Sequence, residues 1–188
     1  MVITHHGAGC FKISQGDLSL IFNPQSKISA DITLFTTGRS EVSEKSGFVI
    51  DGPGEYETKN VFIKGFPSEG PAKKINTIYL ISFEGMNLCF LGALASATLS
   101  NEILEAIEDI DILFVPIGGS AVLDATSAYK LAVSLEPSVI IPMYYTKSTL
   151  DQFIKEGGEA RVEPLDKFVV KKKDLEGKTS EIVVLKEE

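Results

Sequence analysis

Apolar residues fall along this chain in short bursts set off by glycine, proline and small polar residues, and the first bursts are β-prone. Met1 to Thr4 is one. Cys10–Ser14 and Leu18–Phe22 flank Gln15-Gly16-Asp17 and read as a hairpin, closed by Asn23-Pro24. Asp31–Phe35 predicts another strand, and Phe48–Ile50 a short one before the sharp turn of Gly52-Pro53-Gly54. Val61–Ile63 follows, and Phe66–Lys74, with Pro67, Gly70 and Pro71, reads as a loop. Ile75–Phe83 and Asn87–Leu91 bracket Glu84-Gly85-Met86 as a second hairpin.

Helical spacing enters only after this point. Leu99, Ile103 and Ile107 repeat every four residues and predict a helix over Ser100–Ile107. Ile110–Val115 is an apolar strand ended by Pro116. Asp124 can cap a helix through Leu135, whose stripe is Ala128, Leu131, Ala132 and Leu135. Val139–Ile141 is again an apolar strand, stopped by Pro142. Ser148 with Asp151 resembles a capping box for a helix to Glu156 that Gly157-Gly158 stops. Phe168–Val170 and Glu181–Leu185 read as a last β pair around Asp174–Gly177. Hairpins first and strand–helix–strand units later suit packed sheets with helices outside, an α+β or mixed α/β domain.

Composition narrows the function. The chain has 188 residues, which fits one domain with its own core. Lys and Arg number 18 against 26 Asp and Glu, a formal charge of −8, which argues against nucleic acid and anionic membranes as partners. Lys171, Lys172 and Lys173 form the one basic run and read as a solvated strand end or turn. Cys10 and Cys89 each sit in an apolar stretch and read as buried free thiols. With no basic-then-apolar leader pattern and no long apolar run, the expected setting is cytoplasmic.

Several segments resemble the metallo-β-lactamase-fold hydrolases. These are Ile3-Thr4-His5-His6-Gly7-Ala8-Gly9-Cys10-Phe11, Asn23-Pro24, Ala30-Asp31-Ile32 and Gly52-Pro53-Gly54-Glu55-Tyr56-Glu57, followed by Asn76-Thr77-Ile78-Tyr79, Asp111 to Gly119, and Ile140 to Tyr145. Each is weak alone, but their order and spacing are specific and span nearly the whole chain. The resemblance implies a four-layer αββα sandwich in a single domain, built as two similar halves, about 1–70 and 71–188. It also implies zinc chemistry, in which a bound metal lowers the pKa of water and polarises the scissile bond.

At the positions that the resemblance gives to metal ligands, this chain departs from the pattern. Thr37, Arg39, Glu41 and Val42 stand where the family carries His, His, Asp and His. Ala8 stands for a His, Asn23 for an Asp, and the His expected around Ser68 is missing. Ala93 replaces the Asp of a Leu-Gly-Asp, and Tyr144 the His of a Pro-Met-His-Tyr. Thr and Val are poor zinc donors and Arg is a fixed cation. His5 and His6 are the protein's two histidines. On one strand they point to opposite faces, so they are expected at the surface or an edge and make poor partners for one ion.

The expectation is therefore a homologue with no metal cofactor and no catalytic residues. Ala8, Thr37, Arg39, Glu41, Val42, Ser68, Ala93 and Tyr144 remain as an ancestral-site remnant able to hold a ligand. Other catalytic signals are weak: there is no Gly-x-Ser-x-Gly elbow, Gly118-Gly119 lacks the Lys-(Ser/Thr) of a P-loop, and Glu55 with Glu57 reads as solvated strand. The functional reading is a binding or structural protein, whose partner is an unknown small molecule, another protein or a second copy. The alternative is a metal-dependent hydrolase with an atypical or relocated site.

Overall fold

The computed structural model describes residues 1–38 and 47–188. Two mixed sheets pack face to face. The first holds β1 (Val2–His5), β2 (Phe11–Gln15), β3 (Leu18–Phe22), β4 (Ile32–Leu34) and β5 (Phe48–Ile50) in sequence order, with β12 (Phe168–Val169) added beside β1. The second runs, in spatial order, from β13 (Glu181–Ile182) through β11 (Val139–Met143), β10 (Ile112–Pro116), β9 (Met86–Phe90), β8 (Ile75–Phe83) and β7 (Val61–Glu69) to β6 (Gly54–Thr58). Strands β6 to β9 form an antiparallel meander, whereas β9, β10, β11 and β13 are parallel.

Helices α1 (Asn101–Ala106), α2 (Ala125–Ser134) and α3 (Lys147–Glu156) supply the crossovers that parallel pairing needs. Their buried side chains Ile103, Ala128, Leu131 and Phe153 join Cys89, Leu113, Val115 and Ile140 of the second sheet in one cluster. This is the α/β sandwich that the resemblance implies. Among the described residues all three α-helices lie against the second sheet. The outer face of the first sheet carries a small cluster of Cys10, Ile21 and Ala30 with Ile28. No helix among the described residues is long and apolar enough to cross a membrane.

Between the sheets lies the main core, and its centre is aromatic. Phe22 stacks on Phe90 with centroids 4.0 Å apart, and Phe11 meets Phe114 edge-on at 5.1 Å. Each pair takes one ring from each sheet, so these contacts fix how the sheets face each other.

The chain crosses from the first sheet to the second at Gly52-Pro53-Gly54. Two expectations change. The first part of the segment read as a loop, Phe66–Glu69, is strand, because β7 pairs with β8 as far as Glu69↔Ile75. Pro67 is tolerated there because β6 stops pairing at Gly65, which leaves that stretch of β7 with a free edge. Finally, Phe168–Val169 and Glu181–Ile182 do not pair with each other: β12 joins β1 and β13 joins β11, so the C-terminal segment ties the two sheets together.

Candidate functional site

The strands that carry the aromatic core end together, and their loops meet at one edge of the sandwich. Phe11 opens β2, Phe22 closes β3, Phe90 closes β9 and Met143 closes β11. The residues just beyond are Gly7–Cys10, Asn23, Thr36, Leu91–Ala93 and Tyr144. Ala8, Asn23 and Tyr144 all adopt left-handed backbone, with φ of 48°, 45° and 56°, as does Gly92 at 64°. For Ala and Tyr that conformation costs about 1 kcal/mol or more each, and such positions gather at functional sites. Gly92 has a steric reason as well, since a Cβ there would strike the Asn76 amide and Thr36.

Two carboxamides hold the loops. Asn23 Oδ1 accepts the Thr36 N–H at 2.9 Å and the Thr36 hydroxyl at 3.2 Å, while its Nδ2 donates to the Gly9 carbonyl at 3.4 Å. Asn76 is fully buried. Its Oδ1 accepts the Ala93 N–H at 2.8 Å, and its Nδ2 donates to the Leu91 carbonyl at 2.9 Å and to Ser68 Oγ at 2.8 Å. Ser68 Oγ in turn donates to the Asn76 carbonyl at 3.1 Å. The two hubs join where the Thr77 N–H donates to the Thr36 carbonyl at 2.7 Å. Asn76 spends its carbonyl and both N–H groups on the protein itself, and Asn23 spends its carbonyl and one N–H.

Tyr144 closes the other side. Its N–H donates to the Ala8 carbonyl at 3.1 Å, and its ring lies flush against Gly9, where a Cβ would collide with it. Burial pushes the phenol up to about 12, with the neighbouring Cys10 acting in the same direction. Burial also pushes the Cys10 thiol up to about 11. Both stay protonated at neutral pH and offer neither a base nor a thiolate. His5 is 4 % exposed and stacked on Phe11 at 4.4 Å, with its ring nitrogens facing the carbonyls of Ala8 (3.2 Å) and Leu185 (3.4 Å). This corrects the expectation of a surface position for His5, because alternation along β1 puts it on the core face. His6 takes the other face, 3.6 Å from Glu188. Burial lowers its pKa and Glu188 partly opposes that.

Of the residues named from sequence, Ala8, Ser68, Ala93 and Tyr144 belong to this one network of loops. Thr37 follows Thr36 and is exposed. Arg39, Glu41 and Val42 lie outside the described residues. Sequence reasoning missed Asn76 and Thr36, which hold the site together. An amide at the start of an otherwise apolar strand, as in Asn76-Thr77-Ile78-Tyr79, was the available signal for the first.

Comparison with known proteins places this geometry. Residues 2–144 match the model of the β-lactamase superfamily domain. A UPF0173 metal-dependent hydrolase from Carboxydothermus hydrogenoformans is 26 % identical, over 77 % of this chain and 84 % of that protein. The crystal structure of a protein assigned as a Zn-dependent hydrolase of the metallo-β-lactamase superfamily from Thermotoga maritima superposes with a TM-score of 0.81. It is 27 % identical, over 100 % of this chain and 99 % of that one. CmlA, a diiron β-hydroxylase from Streptomyces venezuelae, shares the fold with a TM-score of 0.65 at 13 % identity, over 98 % of this chain and 53 % of its own.

These names overturn the expectation of no cofactor: relatives called metal-dependent and Zn-dependent suggest a metal cofactor. The described residues of the cleft do not themselves fit one. Ala8, Asn23, Ala93 and Tyr144 present methyl groups, an amide whose oxygen is already engaged and a protonated phenol. Among the described residues no three His, Cys, Asp or Glu side chains converge on one point. No chemical step through a metal follows from them.

Proposed function

The chain belongs to the β-lactamase superfamily, and from that premise we propose that it uses the fold for binding or structure rather than for hydrolysis. One observation carries the reading. The loops that meet at the strand ends are cross-linked through the Asn23 carbonyl and the fully engaged Asn76 amide, and they are closed by Tyr144 against Gly9. Without metal-activated water, a hydrolytic centre needs a nucleophile with a base, or donors aimed at developing charge. Here the donors are turned inward. The remnant surface around Ala8, Thr37, Ser68, Ala93 and Tyr144 would meet a small molecule, another protein or a second copy of the chain, in a cytoplasmic setting that suits two free thiols.

The relatives' names favour a second reading, a metal-dependent hydrolase whose site is atypical or relocated. One assay separates the two. Protein supplied with zinc, manganese or iron is offered phosphodiester, lactone and β-lactam substrates. Turnover at background supports the binding reading. Saturable turnover that tracks the protein through purification overturns it in favour of the second.

A further inference from the structure

Away from the cleft, the helical layer leaves part of the second sheet uncovered. On the outer face of β6 to β9 the register sets two cross-strand rows, Glu57–Phe62–Ser82–Asn87 and Glu55–Lys64–Leu80–Cys89. The last residue of α1 and the segment after it, Ala106–Ile110, rise beside them, and between the two lies a groove of about 170 Å³. Phe62, Leu80, Ala106 and Ile107 make its apolar walls, and Phe62 is 54 % exposed. The groove reaches the Asn87 end of β9, the opposite end from Ala93, so it is separate from the cleft.

The charges around it are one-sided. Lys64 is offset by Glu55 at 3.4 Å. Glu108 and Asp109 stand on the rim and Glu57 lies beside Phe62; among the described residues none of the three has a Lys or Arg within bridging distance. Glu108 and Asp109 also follow the C-terminal end of α1, where the helix dipole favours a cation, and the last turn carries no basic residue. An apolar cavity of about 150 Å³ is enough to take up one benzene ring.

We propose that this groove binds a small organic cation whose apolar body is about one ring, with the ring against Phe62, Leu80 and Ile107 and the ammonium at Glu108 and Asp109. The walls supply affinity through area removed from water. The rim supplies the choice of charge. Cys89 lies in the wall, but burial pushes its thiol up to about 12, so the site binds and does not react covalently.

The test titrates the full chain, by ligand-observed NMR, with benzylamine, benzyl alcohol and benzoate, which share a ring and differ in charge. Benzylamine should bind saturably and tightest, with benzoate weakest. A Glu108→Gln, Asp109→Asn double variant changes only exposed groups. It should weaken benzylamine about tenfold, or 1.4 kcal/mol, and leave benzyl alcohol unchanged. Ala106→Phe should fill the groove and abolish binding of all three. Equal or tighter binding of benzoate, no saturable binding of any probe, or undiminished binding by a folded Ala106→Phe protein overturns the proposal. If Ala106→Phe fails to fold, the charge series and the double variant decide alone.

Discussion

Asn76 Oδ1 accepts the backbone N–H of Ala93 at 2.8 Å, and Asn76 itself is fully buried between β7 and the loop after β9. The same amide donates to the Leu91 carbonyl at 2.9 Å. Replacing it with Ala or Leu strands a buried N–H and a buried carbonyl together. Since each orphaned group costs about 1–3 kcal/mol, Asn76→Ala should lose roughly 2–4 kcal/mol of unfolding free energy. Urea denaturation measures this, and a loss below about 1 kcal/mol would show that the amide is not a structural hub.

Gly9 and Tyr144 make a steric pair. A Cβ at position 9 runs into the Tyr144 ring, so Gly9→Ala should destabilise by about 1–3 kcal/mol through overpacking. In a Tyr144→Ala background the atoms that a Cβ would strike are gone, and the same change should cost less. A double-mutant cycle should therefore return a coupling above about 1 kcal/mol, and additivity would refute the contact.

How far the site was legible in the sequence follows from what each residue can signal. Continuous apolar runs such as Ile112–Pro116 and Val139–Met143 announce buried parallel strands. Strand β6, Gly-Glu-Tyr-Glu-Thr, is legible only as a turn followed by solvated strand carboxylates, because Tyr56 is its one inward apolar residue. The capping box of α3 was placed on Ser148 and Asp151. The structure uses Thr146 and Thr149, and Ser148 falls inside the first turn. Phe168–Val169 and Glu181–Ile182 are two residues each, too short for local pattern to choose a partner, and closeness in sequence suggested the wrong one. The resemblance names positions by the ligands they would carry in the family, which says nothing of what holds the loops. The amides that cross-link the loops, at Asn23 and Asn76, show themselves only through burial and hydrogen bonds.

Both thiols should be silent in the folded state. Cys10 and Cys89 are buried and unpaired, and burial pushes them up to about 11 and about 12. Native protein at pH 8 should react with a disulfide reagent far more slowly than a free thiol, and denatured protein should release two equivalents. Rapid labelling of one thiol in the native state would place it on the surface.

Asp124 caps α2 by accepting the Ser127 N–H at 3.0 Å, and that bond lowers its pKa below the ordinary carboxylate value. A carboxylate depressed by folding contributes stability above its unfolded pKa, and that share is lost as pH falls through the folded value. Asp124→Ala should cost about 0.5–2 kcal/mol at pH 7. The gap between the two proteins should narrow below about pH 4 as the wild-type cap takes up its proton. A gap that widens with acid would contradict the assigned cap.

Lys172 separates itself from its neighbours in the basic run. The three lysines read from sequence as a solvated strand end or turn, and Lys172 begins a short 3₁₀ turn over Lys172–Leu175. Its ammonium meets both carboxylate oxygens of Asp111 at 2.7 Å. The Asp111 side chain is 6 % exposed and that of Lys172 55 %. Asp111 also accepts the Asn87 N–H at 2.8 Å, so it pins the start of β9 and β10 to the C-terminal segment. Removing the lysine leaves a buried carboxylate with one remaining donor. A fully buried pair broken this way costs about 3–5 kcal/mol, and the exposed ammonium discounts that to roughly 1–2 kcal/mol. Lys172→Met should therefore lower stability by that amount, whereas Lys171→Met and Lys173→Met should stay within about 0.5 kcal/mol of the parent. High salt should not abolish the difference, because screening acts weakly on a pair with one buried member. Equal effects at all three positions would mean that the run contributes only its overall charge.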